Sequence, residues 1–81
     1  MPMTKQHEAL HQLIGEQVIH TLGKPANLLA VQVRPLWEGR YRANILVGVD
    51  VASARVAHSY FLAIDGDGNI SAATPKIVRH Y

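Results

Sequence analysis

The chain contains no cysteine. Disulfides, zinc–thiolate centres and thiol nucleophiles are excluded on that ground. A small domain without covalent staples also leans toward a reducing, cytoplasmic setting. Long apolar runs are missing too. His, Gln and Glu interrupt residues 1–24 throughout, so this segment is not of signal-peptide type, and no stretch is long enough to span a membrane. Acidic residues number only six and are scattered, so no carboxylate pair suited to general acid–base work stands out. A Gly-rich phosphate loop is lacking, because Gly66 and Gly68 belong to a turn signal. Ser53, Ser59 and Ser71 have no nucleophile-elbow context. The formal charge is +2, with the basic residues spread along the chain, whereas nucleic-acid binders more often concentrate them.

What the chain does have is clear periodicity. Its 81 residues suffice for one domain, which at this size buries roughly 60% of the surface of the unfolded chain. Thr4 suits a helix N-cap, and Leu10, Leu13, Ile14, Val18 and Leu22 follow the i, i+3, i+4 spacing of one apolar stripe. A helix is expected over 4–22. Gly15 lies beside the stripe, where close packing favours it, and Gly23 followed by Pro25 ends the helix. Ile19 falls on the polar side, with Gln12 and Glu16.

Tyr41 to Val49 alternates with period two: Tyr41, Ala43, Ile45, Val47 and Val49 on one side, Arg42, Asn44, Leu46 and Gly48 on the other. Strands are expected over 28–36, 40–50, 55–65 and 70–79. Trp37-Glu38-Gly39 reads as a three-residue hairpin loop with Gly39 in the left-handed position. That loop pairs Pro35 with Tyr41, Val33 with Ala43, Val31 with Ile45 and Leu29 with Val47. Pro35 cannot donate to a ladder, which makes the first strand an edge there. In the third strand Val56, His58, Tyr60, Leu62 and Ile64 form the better core face, and Ala57, Ser59, Phe61 and Ala63 the other. Pro75 weakens the last strand, and residues 76–81 read as a frayed edge.

Short connections force antiparallel neighbours, and the helix stripe needs one sheet face to bury it. The expected fold is therefore α+β: one N-terminal helix packed on one face of a 3–4-stranded antiparallel meander, two layers in the order α-β-β-β-β. In element order this resembles the small helix-plus-meander domains of the PepSY and cystatin-like kind. The likeness carries over no functional positions. A double-stranded-RNA-binding domain shares the start of this order but needs a second helix, and the tail after Asn69 has no helical period.

Four constellations bear on function. His7-Glu8-Ala9-Leu10-His11 spells H-E-x-x-H, two imidazoles one helical turn apart that can share a metal. His58, on the sheet face that the helix covers, is the candidate third ligand. A zinc peptidase also needs a cleft and more chain, so a structural role is the blander reading. Asp65-x-Asp67-x-Asn69 resembles the opening of an EF-hand loop, but Ile70 stands where Gly is wanted and Lys76 where the bidentate Glu belongs. A hairpin turn explains it. On the sheet face away from the helix, Arg34 opposes Arg42 and Gln32 opposes Asn44, with Arg40 and Trp37 nearby. Leu36, Leu46, Phe61, Ala57 and Ala63 make the same face partly apolar, as protein interfaces often are.

The leading expectation is a non-enzymatic interaction module without cofactor. It is expected to be homodimeric, using a face of Gln32, Arg34, Trp37, Arg42, Asn44, Leu46 and Phe61. Its alternative ligands are a small anion or an acidic peptide. The second reading is a nucleic-acid-binding module through Arg34, Arg40, Arg42 and Trp37. The third is a metal-binding protein through His7, His11 and His58.

Overall fold

The computed structural model describes the backbone of residues 2–81 and the side chains from residue 8 onward. Helix α1 (Pro2–Leu22) is followed by β1 (Leu28–Trp37), β2 (Arg40–Val47), a 3-10 turn at Val51–Ser53, β3 (Arg55–Ile64) and β4 (Ile70–Thr74). The four strands form one antiparallel sheet in the order β1-β2-β3-β4. The molecule measures 34 × 30 × 18 Å. Its thin dimension is that of one helix layer on one sheet layer, so a single face of the sheet is covered.

Parity decides which side chains are buried. Pro35 pairs with Tyr41, Val33 with Ala43 and Val31 with Ile45, the register expected from the hairpin. The turn itself differs in detail. Trp37 pairs with Arg40 across a two-residue turn, and the extra residue sits at a bulge on Leu36. Gly39 has φ +71°, a conformation that costs an L side chain but not glycine. Bulge and turn together restore the frame that a three-residue loop would set. A second bulge falls at Leu29, so Val47 pairs with Leu28 rather than Leu29. Ala43 and Ile45 are fully buried and Val47 nearly so, while Arg42 on the opposite parity is exposed.

Strand β3 continues this parity: Tyr41 pairs with Leu62, Ala43 with Tyr60 and Ile45 with His58. A bulge at Ala57 then switches the frame, so that Val56 pairs with Leu46. Val56 was expected on the core face, but it stands on the helix-free face and is 53% exposed. Alternation cannot reveal such a switch, because one inserted residue exchanges the faces beyond it.

The helix stripe meets this sheet through Ile14, Val18 and Leu22, all fully buried and clustered with Ala43, Ile45, Tyr60 and Leu62. Each such aliphatic contributes about 1.5–3 kcal/mol by leaving water. A Cβ on Gly15 would lie 3.3 Å from Val31 Cγ1, so the glycine does serve close packing of helix on sheet. Leu13, expected in the stripe, is 40% exposed, whereas Ile19, expected on the polar side, packs against the core. The stripe is thus rotated toward Ile19 relative to the expected wheel.

The C-terminal segment is the largest departure. β4 stops at Thr74, short of the expected 79, because Pro75 has no N–H for the ladder. Residues 75–81 do not fray. Ile77 joins the core at 9% exposure. The N–H groups of His80 and Tyr81 both donate to the Leu22 carbonyl, at 2.8 and 3.1 Å, satisfying an orphan acceptor at the helix end. Gly23, at φ +90°, lies so close to Tyr81 that a Cβ there would sit 2.6 Å from the Tyr81 carbonyl carbon.

A second polar anchor on the helix is Gln17, a little over one turn before Leu22. Its Nε2 donates to the Gly68 carbonyl at 2.7 Å, and its Oε1 accepts from the Ile70 N–H at 3.0 Å. One amide therefore bonds two backbone groups of the β3–β4 connection, where Gly68 also lies close to the Leu10 and Leu13 side chains. Gln17→Leu is expected to cost about 2 kcal/mol by leaving both backbone groups unmet, a fall of roughly 10 °C in melting midpoint at this chain length. Thermal melts followed by circular dichroism check this, and an unchanged midpoint would show that the turn holds without the Gln17 amide.

Candidate functional site

The helix-free sheet face is built row by row from the register. Ala30, Leu46 and Val56 make an apolar row, followed by Gln32, Asn44 and Ser59, then Arg34, Arg42, Phe61 and Thr74. Trp37, Arg40, Ala63 and Ala72 make the last row, beside the β1–β2 turn. All seven residues expected on this face, Gln32, Arg34, Trp37, Arg42, Asn44, Leu46 and Phe61, occupy it together with Arg40. Leu36 and Ala57, also expected on this face, sit at bulges and have no partner across the β1–β2 and β2–β3 ladders respectively.

Two local arrangements organise the surface. Trp37 and Phe61 contact each other with ring centroids 5.5 Å apart and planes tilted by 49°, and Trp37 remains 62% exposed. Arg42 Nη1 donates to Ser59 Oγ at 3.0 Å, and the Ser59 hydroxyl donates to Asn44 Oδ1 at 2.7 Å. This chain draws the Arg42 guanidinium along the sheet and relieves its opposition to Arg34, which like charges directly across a ladder would otherwise disfavour. Arg40 Nη1 donates to the Gly39 carbonyl at 3.3 Å. Ser59 is the bridging group that sequence reasoning placed on this face without assigning it a task. Alternation predicts its side of the strand, but only the β2–β3 register brings it to Asn44.

The six acidic residues lie elsewhere: Glu8 and Glu16 on α1, Glu38 in the β1–β2 turn, Asp50 before the 3-10 turn, and Asp65 and Asp67 in the β3–β4 turn. The face therefore carries three guanidinium charges and no carboxylate. Arginine stays protonated at any working pH, so this positive character is permanent.

Among the described residues, His11 and His58 do not converge. His11 packs edge-on against Tyr41 at a centroid distance of 5.8 Å. His58 pairs with Ile45, four residues further along β2, or about 13 Å at the rise of a strand. The His7 side chain lies outside the described residues. Among the described residues no group of three metal-ligating side chains comes together. Asp65 is engaged in its own turn, where Oδ1 accepts from the N–H groups of Asp67 and Asn69 at 2.9 and 3.0 Å.

His58 belongs instead to a cluster that the sequence did not indicate. Its Nε2 shares a 2.9 Å hydrogen bond with the Tyr81 hydroxyl, its ring stacks parallel to Tyr60 at 6.2 Å, and the His80 ring lies 5.0 Å away. Burial first, and then the His80 imidazole, lower the His58 pKa below the ordinary value of 6.5. Burial, together with Tyr81, raises that of Tyr60. With the folded value of His58 below the unfolded one, the unfolded chain binds the extra proton first as pH falls. His58 therefore opposes folding progressively from about pH 6.5 down to its lowered value, and adds nothing further below it. The urea midpoint is expected to drop on acidification through this window by less in His58→Gln than in the parent. Equal drops in the two proteins would show that the cluster has no part in acid stability.

A scan against family models, a search of curated proteins and a search of solved structures find no match to this chain.

Proposed function

We propose that the protein is a non-enzymatic binding module whose helix-free sheet face recognises an anionic partner. The observation that carries this reading is the charge of the face: Arg34, Arg40 and Arg42 stand there without a carboxylate. Guanidinium groups make charge-assisted, often bidentate hydrogen bonds to carboxylate and phosphate oxygens. They do not exchange protons near neutral pH, and the same face offers no imidazole or carboxylate to act as acid or base. Recognition suits this surface better than catalysis.

A homodimer through this face is the competing reading, favoured by the exposed Trp37, Leu36 and Val56. A two-fold interface must be self-complementary. Two such faces in contact would oppose six guanidiniums with no carboxylate between them, and buried charge without a partner is costly. The expected homodimer therefore ranks below an anionic partner.

Immobilised heparin, a flexible polyanion, provides the test. The chain is expected to be retained at low salt, and the Arg34→Ala, Arg42→Ala double variant to elute clearly earlier. A Lys76→Ala, Arg79→Ala control loses the same charge from the C-terminal segment and is expected to elute between the two. Equal elution of the two double variants would reduce the retention to net charge and defeat the reading. Light scattering is expected to report the mass of one chain. A two-chain mass that Trp37→Ala abolishes would assign the face to a second copy instead.

A further inference from the structure

We infer that the anionic partner of this face is single-stranded nucleic acid, an inference that rests on the anion-binding reading above. The three arginines are set in two rows of the sheet, Arg34 and Arg42 across from each other in one and Arg40 in the next. Arg42 is held by Ser59, and Arg40 by the Gly39 carbonyl on the turn. Arg34 lies one strand away from Arg42, about 4.8 Å in the pairing direction. Charges spread over two rows match a string of phosphates better than a single small anion, which needs donors aimed at one centre. An acidic peptide satisfies the charges but leaves the Trp37 and Phe61 rings without a counterpart.

Those rings lie among the charges. Phe61 is in the row of Arg34 and Arg42, and Trp37 pairs with Arg40. Unpaired bases stack on exposed aromatic faces, and a basic surface alongside tracks the backbone. Duplex DNA cannot use this arrangement. Its bases are already stacked, and its major groove admits a helix or a two-stranded ribbon rather than the broad face of a four-stranded sheet. The neighbouring row adds hydrogen-bonding groups. Asn44 accepts from Ser59 through Oδ1, which leaves its amide nitrogen to donate to a base edge, and Gln32 stands directly across from it.

The test is fluorescence anisotropy of the full chain with a labelled oligo-dT of ~12 nucleotides, a length within the range of small single-strand binders. Unlabelled duplex, inorganic polyphosphate and poly-glutamate serve as competitors. Oligo-dT is expected to bind more tightly than all three. Its affinity should fall with salt at a log–log slope of about −2, for three contacts at roughly 0.7 each. Trp37→Ala should weaken it ~10-fold. Arg34→Ala with Arg42→Ala should flatten the slope to about −0.7. Both variants change exposed side chains away from the core, and Phe61→Leu gives a second aromatic loss that keeps an apolar contact for Trp37. If polyphosphate or poly-glutamate competes as well as oligo-dT and Trp37→Ala has no effect, the nucleic-acid inference falls and the anion reading stands. Preference for duplex also overturns the inference. Failure of every anion to bind at low salt removes both.

Discussion

Pairing of Val31 with Ile45 and of Ile45 with His58 sets the parity of three strands at once, and the rest of the molecule depends on it. Ile45 is fully buried under the helix, so its neighbours across the ladder share that face and the alternating residues share the other. A slip of one residue would send Arg42 and Asn44 into the core and bring Ile45 and Ala43 into water. The frame is held by the β1–β2 turn, where Gly39 takes a left-handed conformation and a bulge at Leu36 absorbs the residue that a two-residue turn leaves over.

One helix on a four-stranded sheet leaves an asymmetric molecule. The covered face is reinforced by polar anchors on the C-terminal half of α1. Gln17 ties the β3–β4 turn to α1. The segment after Pro75 returns to the end of α1, placing Ile77 in the core and two N–H groups on the Leu22 carbonyl. A small domain has little apolar area with which to offset chain entropy, so such contacts matter more here than in a larger protein.

The open face is held in order by different means. The Arg42–Ser59–Asn44 chain and the Trp37–Phe61 contact fix side chains that would otherwise be mobile on a solvated surface. Ordering before binding lowers the entropy lost on binding. Both sheet edges are poor sites for strand addition. β1 carries Pro35 and two bulges, and β4 is five residues long and ends at Thr74, just before Pro75. Such features blunt edge-to-edge pairing.

The helix, the order and sense of the strands, the β1–β2 register from Val31 to Pro35 and the placing of Gln32, Arg34, Trp37, Arg42, Asn44, Leu46 and Phe61 on the open face all follow from the sequence, because each is a local matter of period, loop length or turn chemistry. Arg34, Arg42, Gln32 and Asn44 could be put on one surface by counting along two strands from Gly39. Three features were decided only by the tertiary structure. The Ala57 bulge moved Val56 to the open face, since alternation does not register an inserted residue. His58 joined His80 and Tyr81 rather than His11, since proximity between distant segments has no one-dimensional signature. The last seven residues became a cap for the helix and part of the core, since a short segment after Pro75 shows no period, and Ile77 finds a place to be buried only once His80 and Tyr81 are docked on Leu22 and Gly23.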